Sequence, residues 1–313
     1  MCLQEYMILG ECADVMRRSA VKKEYLMALL AVMIWGTLSP AGKMLLNDMP
    51  EIELLFITSA IAAVFLGITT IVTGHANFVR NLKLKDYGIL VILAVIGTFL
   101  YSMTYFYGIS QLTAQEATII NYLWPMMTVL FSWPVLHERL SGRSVAALLI
   151  SFAGIAIMVT RLDLSSFRNS SIAGILACLA AAVSYGSFSA LNKRFQYDQY
   201  VALTIYYFVT AVLLGCILLI HPAAMPADPA QIIGLLWVGI AVDGIAYLLW
   251  CQALIQGKTA SISNIAYLTP FLSILAAKLL LDEPVSIFSF IGLAFILAGI
   301  AIQFRAPVDK SPE

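Results

Sequence analysis

Two proline-centred segments set aromatic and amide groups side by side: Asn121-Tyr122-Leu123-Trp124-Pro125 and Ala266-Tyr267-Leu268-Thr269-Pro270. A proline within a helix cannot donate to the carbonyl four residues earlier, so both Asn121 and Ala266 are expected to present a freed carbonyl. Helical spacing extends the same faces. Tyr101 pairs with Tyr105, Asp243 with Tyr247 and Trp250, Ser263 with Tyr267 and Pro270, Trp35 with Ser39, and Tyr185 with Ser189 and Asn192. The candidate binding set is therefore Trp35, Tyr101, Tyr105, Asn121, Tyr122, Trp124, Pro125, Tyr185, Tyr247, Trp250, Ser263, Tyr267 and Pro270. Aromatic walls with scattered amides and hydroxyls suit a planar or zwitterionic organic solute, and suit neither a bare ion nor a phosphate. For any single ring, packing or an interfacial belt is the competing reading.

The ionisable candidates are Asp243 and Glu116. Asp243 lies deep in an apolar stretch, where an unpaired charge costs at least about 3 kcal/mol on insertion scales. It is expected to be protonated, hydrogen-bonded or in water, serving proton coupling, a substrate ammonium or structure alone. Glu116 is either a coupling residue or a charge complementing the N-terminus of a helix. Lys43 and Lys193 read as snorkelling ends, Glu138 and Glu283 as hinge or capping residues, and Ala173, Ala177 and Ala181 as a close-approach face. No HExxH, GxSxG, Walker or dinucleotide pattern occurs. His75, His137 and His221 are too scattered for a metal site, and the five cysteines have no ligand spacing. No catalytic residue, cofactor or metal is expected, and without a nucleotide-binding domain the driving force must be a gradient.

The elements that must position these residues follow from composition. Of 313 residues, 61% are hydrophobic and 12% charged, with a mean hydropathy of +0.90; soluble domains carry about a quarter charged. Zero net charge gives no electrostatic case for nucleic acid. Ten apolar stretches cover 26–46, 54–72, 87–107, 117–136, 145–160, 172–191, 201–220, 232–255, 260–281 and 287–304, and enclose only Lys43, Asp243 and Lys278 as charges. A bilayer core needs about 20 apolar residues per helix, so the fold class is all-α integral membrane with ten transmembrane helices. A cytoplasmic N-terminus puts every Lys and Arg inside except Lys43, Arg161, Arg168 and Lys278. Both termini are then cytoplasmic in the cytoplasmic (inner) membrane. Residues 1–24 and 306–313 read as cytoplasmic tails, the first expected to be disordered; it does not read as a signal peptide, and Met16-Arg17-Arg18 is the more natural start.

The chain repeats itself. An offset of 145 carries Gln111 to Gln256, Tyr122 to Tyr267, Pro125 to Pro270 and Glu138 to Glu283, and the run Ala153-Gly154-Ile155-Ala156-Ile157 recurs at 298–302. An offset of 150 carries Trp35-Gly36 to Tyr185-Gly186 and Lys43 to Lys193. Residues 25–162 form repeat one, with helices one to five, and 170–305 form repeat two, with helices six to ten. Five helices is an odd number, so the copies enter the membrane from opposite sides, giving two inverted-topology five-helix repeats around a central cavity. Such symmetry serves an alternating-access carrier; a receptor or assembly subunit has no need of it.

These motifs resemble the drug/metabolite transporter superfamily, in its EamA-type branch of ten-helix carriers. The resemblance spans nearly all of 25–305. Within the branch, Asn121–Pro125 preceded by Glu116, the Asn192-Lys193 pair, Gly244-x-Ala246-Tyr247-x-x-Trp250 and Tyr267-x-Thr269-Pro270 are similar to the bacterial aromatic amino-acid exporters. The resemblance implies a cytoplasmic-membrane exporter with its cavity between the repeats. Asp243 departs from that pattern. The expected function is alternating-access export of aromatic or hydrophobic amino acids by a monomer in the lipid bilayer; the alternative is export of drugs or other metabolites such as nucleosides, with proton coupling. A phosphorylated-sugar carrier would need basic residues converging on one cavity.

Overall fold

The computed structural model describes residues 23–38, 40–41, 45, 49–165, 170–220, 228–282 and 284–304. Residues 1–22 of the expected tail, the tail 306–313, and Ser39, Lys43, His221 and Glu283 lie outside them. Nine described helices are long and apolar enough to cross a membrane. With the preceding helix α1 (Lys23–Gly36) they are α2 (Glu51–Val72), α3 (Leu84–Gln111), α4 (Glu116–Leu136), α5 (Gly142–Thr160), α6 (Ile172–Phe195), α7 (Gln199–Ile220), α8 (Gln231–Gln256), α9 (Thr259–Leu280) and α10 (Ile287–Phe304). At 1.5 Å per residue the 14 residues of α1 span about 21 Å, short of a hydrocarbon core of roughly 30 Å. Of the second half of the first expected span, residues 39, 42–44 and 46 lie outside the described residues.

Polar residues set the helix ends. Ser141 accepts from the Ser144 N–H at 3.0 Å and Ser171 from the Gly174 N–H at 3.3 Å, capping α5 and α6. His137, Arg161, Gln196 and Asp282 close α4, α5, α6 and α9 with φ of 58°, 53°, 49° and 55°, left-handed positions that satisfy terminal carbonyls. Apolar side chains such as Val64, Ile71, Leu219 and Leu279 remain exposed along the shafts, as a lipid solvent requires.

The helices pair selectively. α5 packs on α10, α2 on α7, α6 on α3 and α4, and α1 on α8 and α9. Half of the apolar window of α6 and of α9 is buried, against 28% for α2, α3 and α10, so α6 and α9 lie at the centre. Hydrogen bonds cross between helices from Thr98 Oγ1 to Thr210 Oγ1 (2.5 Å) and from Ser151 Oγ to the Ile296 carbonyl (3.4 Å).

Three sequence expectations need correction. The Lys193 ammonium does not snorkel: the residue is buried and donates to the Gly257 carbonyl at 2.7 Å. Of the expected close-approach face of α6, Ala181 is fully buried but Ala173 is exposed, and the tight contacts with α3 fall at Gly174 and Cys178 instead. The Ala266 carbonyl is not freed. α9 tightens into a 3₁₀ turn over Ala266–Leu268, and the Thr269 N–H takes that carbonyl.

Candidate functional site

Four distortions of the helices bracket one region. α3 contains a π-helical stretch, Val95–Leu100, and α8 another, Trp237–Ala246. α4 breaks between Asn121 and Trp124, just before Pro125, and α9 breaks at its 3₁₀ turn before Pro270. Such interruptions re-aim side chains and loosen the backbone, and they favour functional positions.

Rings of the distorted helices α3, α4 and α8 meet rings of α1 and α6. Trp35 of α1 packs against Trp124 of α4 (centroids 6.4 Å), and against Tyr247 and Trp250 of α8 (both 5.2 Å). Trp124 stands edge-on to Tyr185 of α6 at 4.9 Å and to Trp250 at 5.5 Å. Tyr185 also meets Tyr101 of α3 at 5.0 Å, and Tyr101 stacks on Tyr105 at 6.0 Å. Edge-to-face and offset geometry of this kind is the favoured arrangement of aromatic quadrupoles. Asn121 donates through Nδ2 to the Tyr101 hydroxyl at 3.3 Å. In this conformation the rings of helices from both halves of the chain rest on one another.

Eight of the expected residues are thereby brought together: Trp35, Tyr101, Tyr105, Asn121, Trp124, Tyr185, Tyr247 and Trp250. Pro125 and Pro270 are buried at the two helix breaks. Tyr267 belongs to a separate core with Val129, Leu148, Ile155 and Ile296; Tyr122 packs against that core, lies beside Thr269, and is also near Tyr105 and Tyr101 of the ring cluster. Ser263 is fully buried on α9, and its hydroxyl has no described partner.

Asp243 sits in the π-helical stretch of α8. It accepts from the Tyr207 hydroxyl at 3.4 Å and lies beside Thr58. Tyr207 in turn stands edge-on to Tyr247 at 5.8 Å, so one side chain separates the carboxyl from the ring cluster. Glu116 is held differently, in a capping box. Its Oε2 accepts from the N–H and hydroxyl of Thr113, each at 2.8 Å, and Ser170 donates to its other oxygen. Those bonds suit a charge at a helix N-terminus.

Sequence reasoning passed over Tyr207, Thr58 and Asn264. Tyr207 lies in a uniformly apolar helix without a proline to mark it, and Thr58 reads as an ordinary span residue. Asn264 is 1% exposed with neither end of its amide partnered among the described residues. Its signal was present in the sequence, as an amide next to Ser263.

A second polar network ties the bundle where α4 and α6 end and α9 begins. Lys193 Nζ pairs with Glu138 Oε1 at 2.8 Å and donates to Thr259 Oγ1 at 3.0 Å, while Thr259 donates to Glu138 at 2.9 Å. One residue away, Asn192 donates to Gln199 and accepts from Tyr206, both at 2.9 Å. At the same end His75 Nδ1 meets Asp198 at 2.6 Å, and Tyr197 donates to Asp86 at 3.1 Å. Burial, then the neighbouring carboxylate, raises the Tyr197 phenol above its ordinary range.

The EamA-like transporter family model matches residues 22–160 and 172–305. The chain belongs to the EamA-like transporter family. Among the relatives of this EamA-like chain is an "Aromatic amino acid exporter YddG" of Ancylobacter novellus, 27% identical over 252 residues, covering 80% of this chain and 86% of the relative. Another is a "Probable amino-acid metabolite efflux pump" of Escherichia coli, 23% identical, covering 90% and 95%. A Clostridium kluyveri "Uncharacterized transporter" is 23% identical, covering 91% and 94%. A solved crystal structure shares the fold with a TM-score of 0.81 at 23% identity, over 91% of this chain and 97% of that one. Family membership and the apolar helices make this a multi-pass membrane protein and a small-molecule transporter.

Proposed function

We propose that this chain exports aromatic or other hydrophobic amino acids across the cytoplasmic membrane by alternating access. In this reading it has ten spans in two inverted five-helix repeats, with both termini cytoplasmic. The observation that carries the substrate class is the cluster of Trp35, Trp124, Tyr185, Tyr247 and Trp250, assembled from helices of both halves and edged by neutral polar groups. Such a lining suits a flat apolar side chain. The names of two relatives point the same way.

Contacts between backbones support the inverted repeat. A Cβ added at Gly36 would come within 2.7 Å of Leu272 Cβ, and one at Gly186 would overlap Met127 Cβ; the repeat carries Gly36 to Gly186 and Met127 to Leu272. Gly67 faces Thr204 and Gly215 faces Phe56, positions that exchange at an offset of 148. Gly154 faces the Gly292 carbonyl and Gly299 the Ala147 carbonyl, which exchange at 145. Helix pairings obey the same rule: moving each helix five places turns α1 on α8 into α6 on α3, and α1 on α9 into α6 on α4. The π-helical stretches of α3 and α8, and the breaks of α4 and α9, are exchanged likewise.

Alternating access then assigns the Glu138–Lys193–Thr259 network to the cytoplasmic end, where it closes the bundle and must part for substrate to enter. Asp243, joined to the rings through Tyr207, is the proposed proton-coupling group. Counterflow of Trp, Phe and Tyr in proteoliposomes tests the function. Absence of counterflow for all three, under any imposed gradient, refutes it; broad competition by unrelated drugs or nucleosides without aromatic preference supports the wider metabolite exporter instead.

A further inference from the structure

We infer that the indole N–H groups of Trp35 and Trp250 hold the carboxylate of a zwitterionic substrate, while the Asn121 amide oxygen faces its ammonium. The inference rests on the amino-acid reading above and goes beyond it by naming which atoms read which charge. Trp250 is 1% exposed and Asn121 is 6% exposed. The Nε1 atoms of Trp35 and Trp250 and the Oδ1 atom of Asn121 are buried with no hydrogen-bond partner among the described residues. A buried polar atom without a partner forfeits the hydration it had in water, and most buried polar atoms in folded proteins are paired. These three atoms, with the Tyr185 hydroxyl as a fourth that can donate or accept, are connected through one ring cluster, since the Trp35 and Trp250 centroids lie 5.2 Å apart, Tyr185 meets Tyr101 and Trp124, and Asn121 is bonded to Tyr101.

The polarity of these atoms selects the ligand. An indole nitrogen donates only, so whatever meets Trp35 and Trp250 must be an acceptor. One N–H of the Asn121 amide goes to the Tyr101 hydroxyl, and its unpartnered oxygen offers an acceptor, which calls for a donor. Two donors and one acceptor on a cluster of aromatic rings match an α-amino acid: carboxylate, ammonium and apolar side chain. A polyanion is disfavoured, because Lys193 of α6 is committed to Glu138, Lys278 of α9 is bonded to Asp282, and the Asp243 carboxyl stands on the same helix as Trp250. An amine lacking the carboxylate would leave both indole donors unmet, and an acid lacking the amine would leave the amide oxygen unmet. A site built this way rejects such analogues by the groups it strands.

The test replaces Trp35 or Trp250, by nonsense suppression, with benzothienylalanine, which keeps the fused-ring shape and deletes the N–H. Counterflow of phenylalanine, phenethylamine and 3-phenylpropionate is measured in proteoliposomes of the parent and of each variant. The parent is expected to prefer phenylalanine over both analogues. Each sulfur-for-NH variant should lose about tenfold to hundredfold of its preference for phenylalanine over phenethylamine, as expected for one hydrogen bond to a charged group. Asn121→Leu should instead erode the preference over 3-phenylpropionate. Retained phenethylamine counterflow and monodisperse elution show that a variant is folded. Preference ratios within twofold of the parent in both tryptophan variants overturn the inference while leaving amino-acid export standing. A parent that moves no aromatic amino acid overturns both.

Discussion

Replacing Lys193 with methionine should open the end of the bundle that the Glu138 network closes. The ammonium makes three bonds: to Glu138 at 2.8 Å, to the Gly257 carbonyl at 2.7 Å and to Thr259 at 3.0 Å. A hydrogen bond to a charged group contributes about 1.5–3 kcal/mol when its loss strands the partner. The Glu138 side chain is 32% exposed, however, and keeps its bond from Thr259, so water can compensate much of the loss. A net cost of about 2 kcal/mol to the closed state remains, and the open state, where Lys193 is solvated, loses nothing. At 1.4 kcal/mol per decade the ratio of open to closed protein rises roughly 30-fold. Spin labels on the exposed positions Arg139 and Lys258, in a cysteine-free background, read this as growth of a longer-distance population. Glu138→Gln should shift the population the same way, and the two changes together should shift it by less than their sum. A Lys193→Met distance distribution superimposable on the parent, or strictly additive effects, would refute the closing role.

Asp243→Asn should retain counterflow but lose accumulation driven by a pH gradient; equal loss of both would make the carboxyl structural. Trp124→Ala removes ring contacts to Trp35, Tyr185 and Trp250, each contributing about 0.5–1.5 kcal/mol. Loss of one such ring contact to substrate should raise the apparent KM for phenylalanine about twofold to tenfold, and an unchanged KM would exclude Trp124 from the site. Gly36→Leu and Gly186→Leu each force a side chain into an opposing helix, with an overpacking cost of about 1–3 kcal/mol. Both should lower Tm in detergent to a similar degree; one tolerated and the other not would argue against equivalent halves.

The helices and most of the ring cluster were legible in the sequence because two strong signals overlap: apolar length, and aromatic side chains at helical spacing around a proline. Trp35, Tyr101, Trp124, Tyr185, Tyr247 and Trp250 all carry that spacing and all meet. Tyr122 and Tyr267 pack against another core; both lie within the irregular turns that precede Pro125 and Pro270, where regular helical spacing no longer tells which way a side chain faces. The fate of the Ala266 carbonyl was equally invisible, since a 3₁₀ turn and an open kink share one sequence. Lys193 was misread for a related reason. Its position near a helix end suggested snorkelling, whereas its partners Glu138, Gly257 and Thr259 come from distant segments that only tertiary packing joins. The pairing of Tyr207 with Asp243 is of the same kind.

The two networks are mechanically linked by a single helix. α6 carries Tyr185 in the ring cluster and Lys193 in the closing network, eight positions apart, or about 12 Å along the axis. Between them Phe188 packs on Tyr185 at 5.8 Å and on Tyr206 at 5.4 Å, and Tyr206 bonds to Asn192. Tyr185, Phe188, Ser189, Ala190, Asn192 and Lys193 along this stretch are all buried, so a displacement of one end is transmitted through packed side chains to the other. Under the proposed alternating access, a substrate that wedges Tyr185 away from Trp124 would tilt the helix whose other end holds Lys193 against Glu138. In the proposed inverted repeat α1, with Trp35 in the same ring cluster, takes the corresponding position in the other half. Two levers meeting at one set of rings allow the occupant of the rings to bias which end of the bundle is held shut, and that bias is what coupling of substrate to conformation requires.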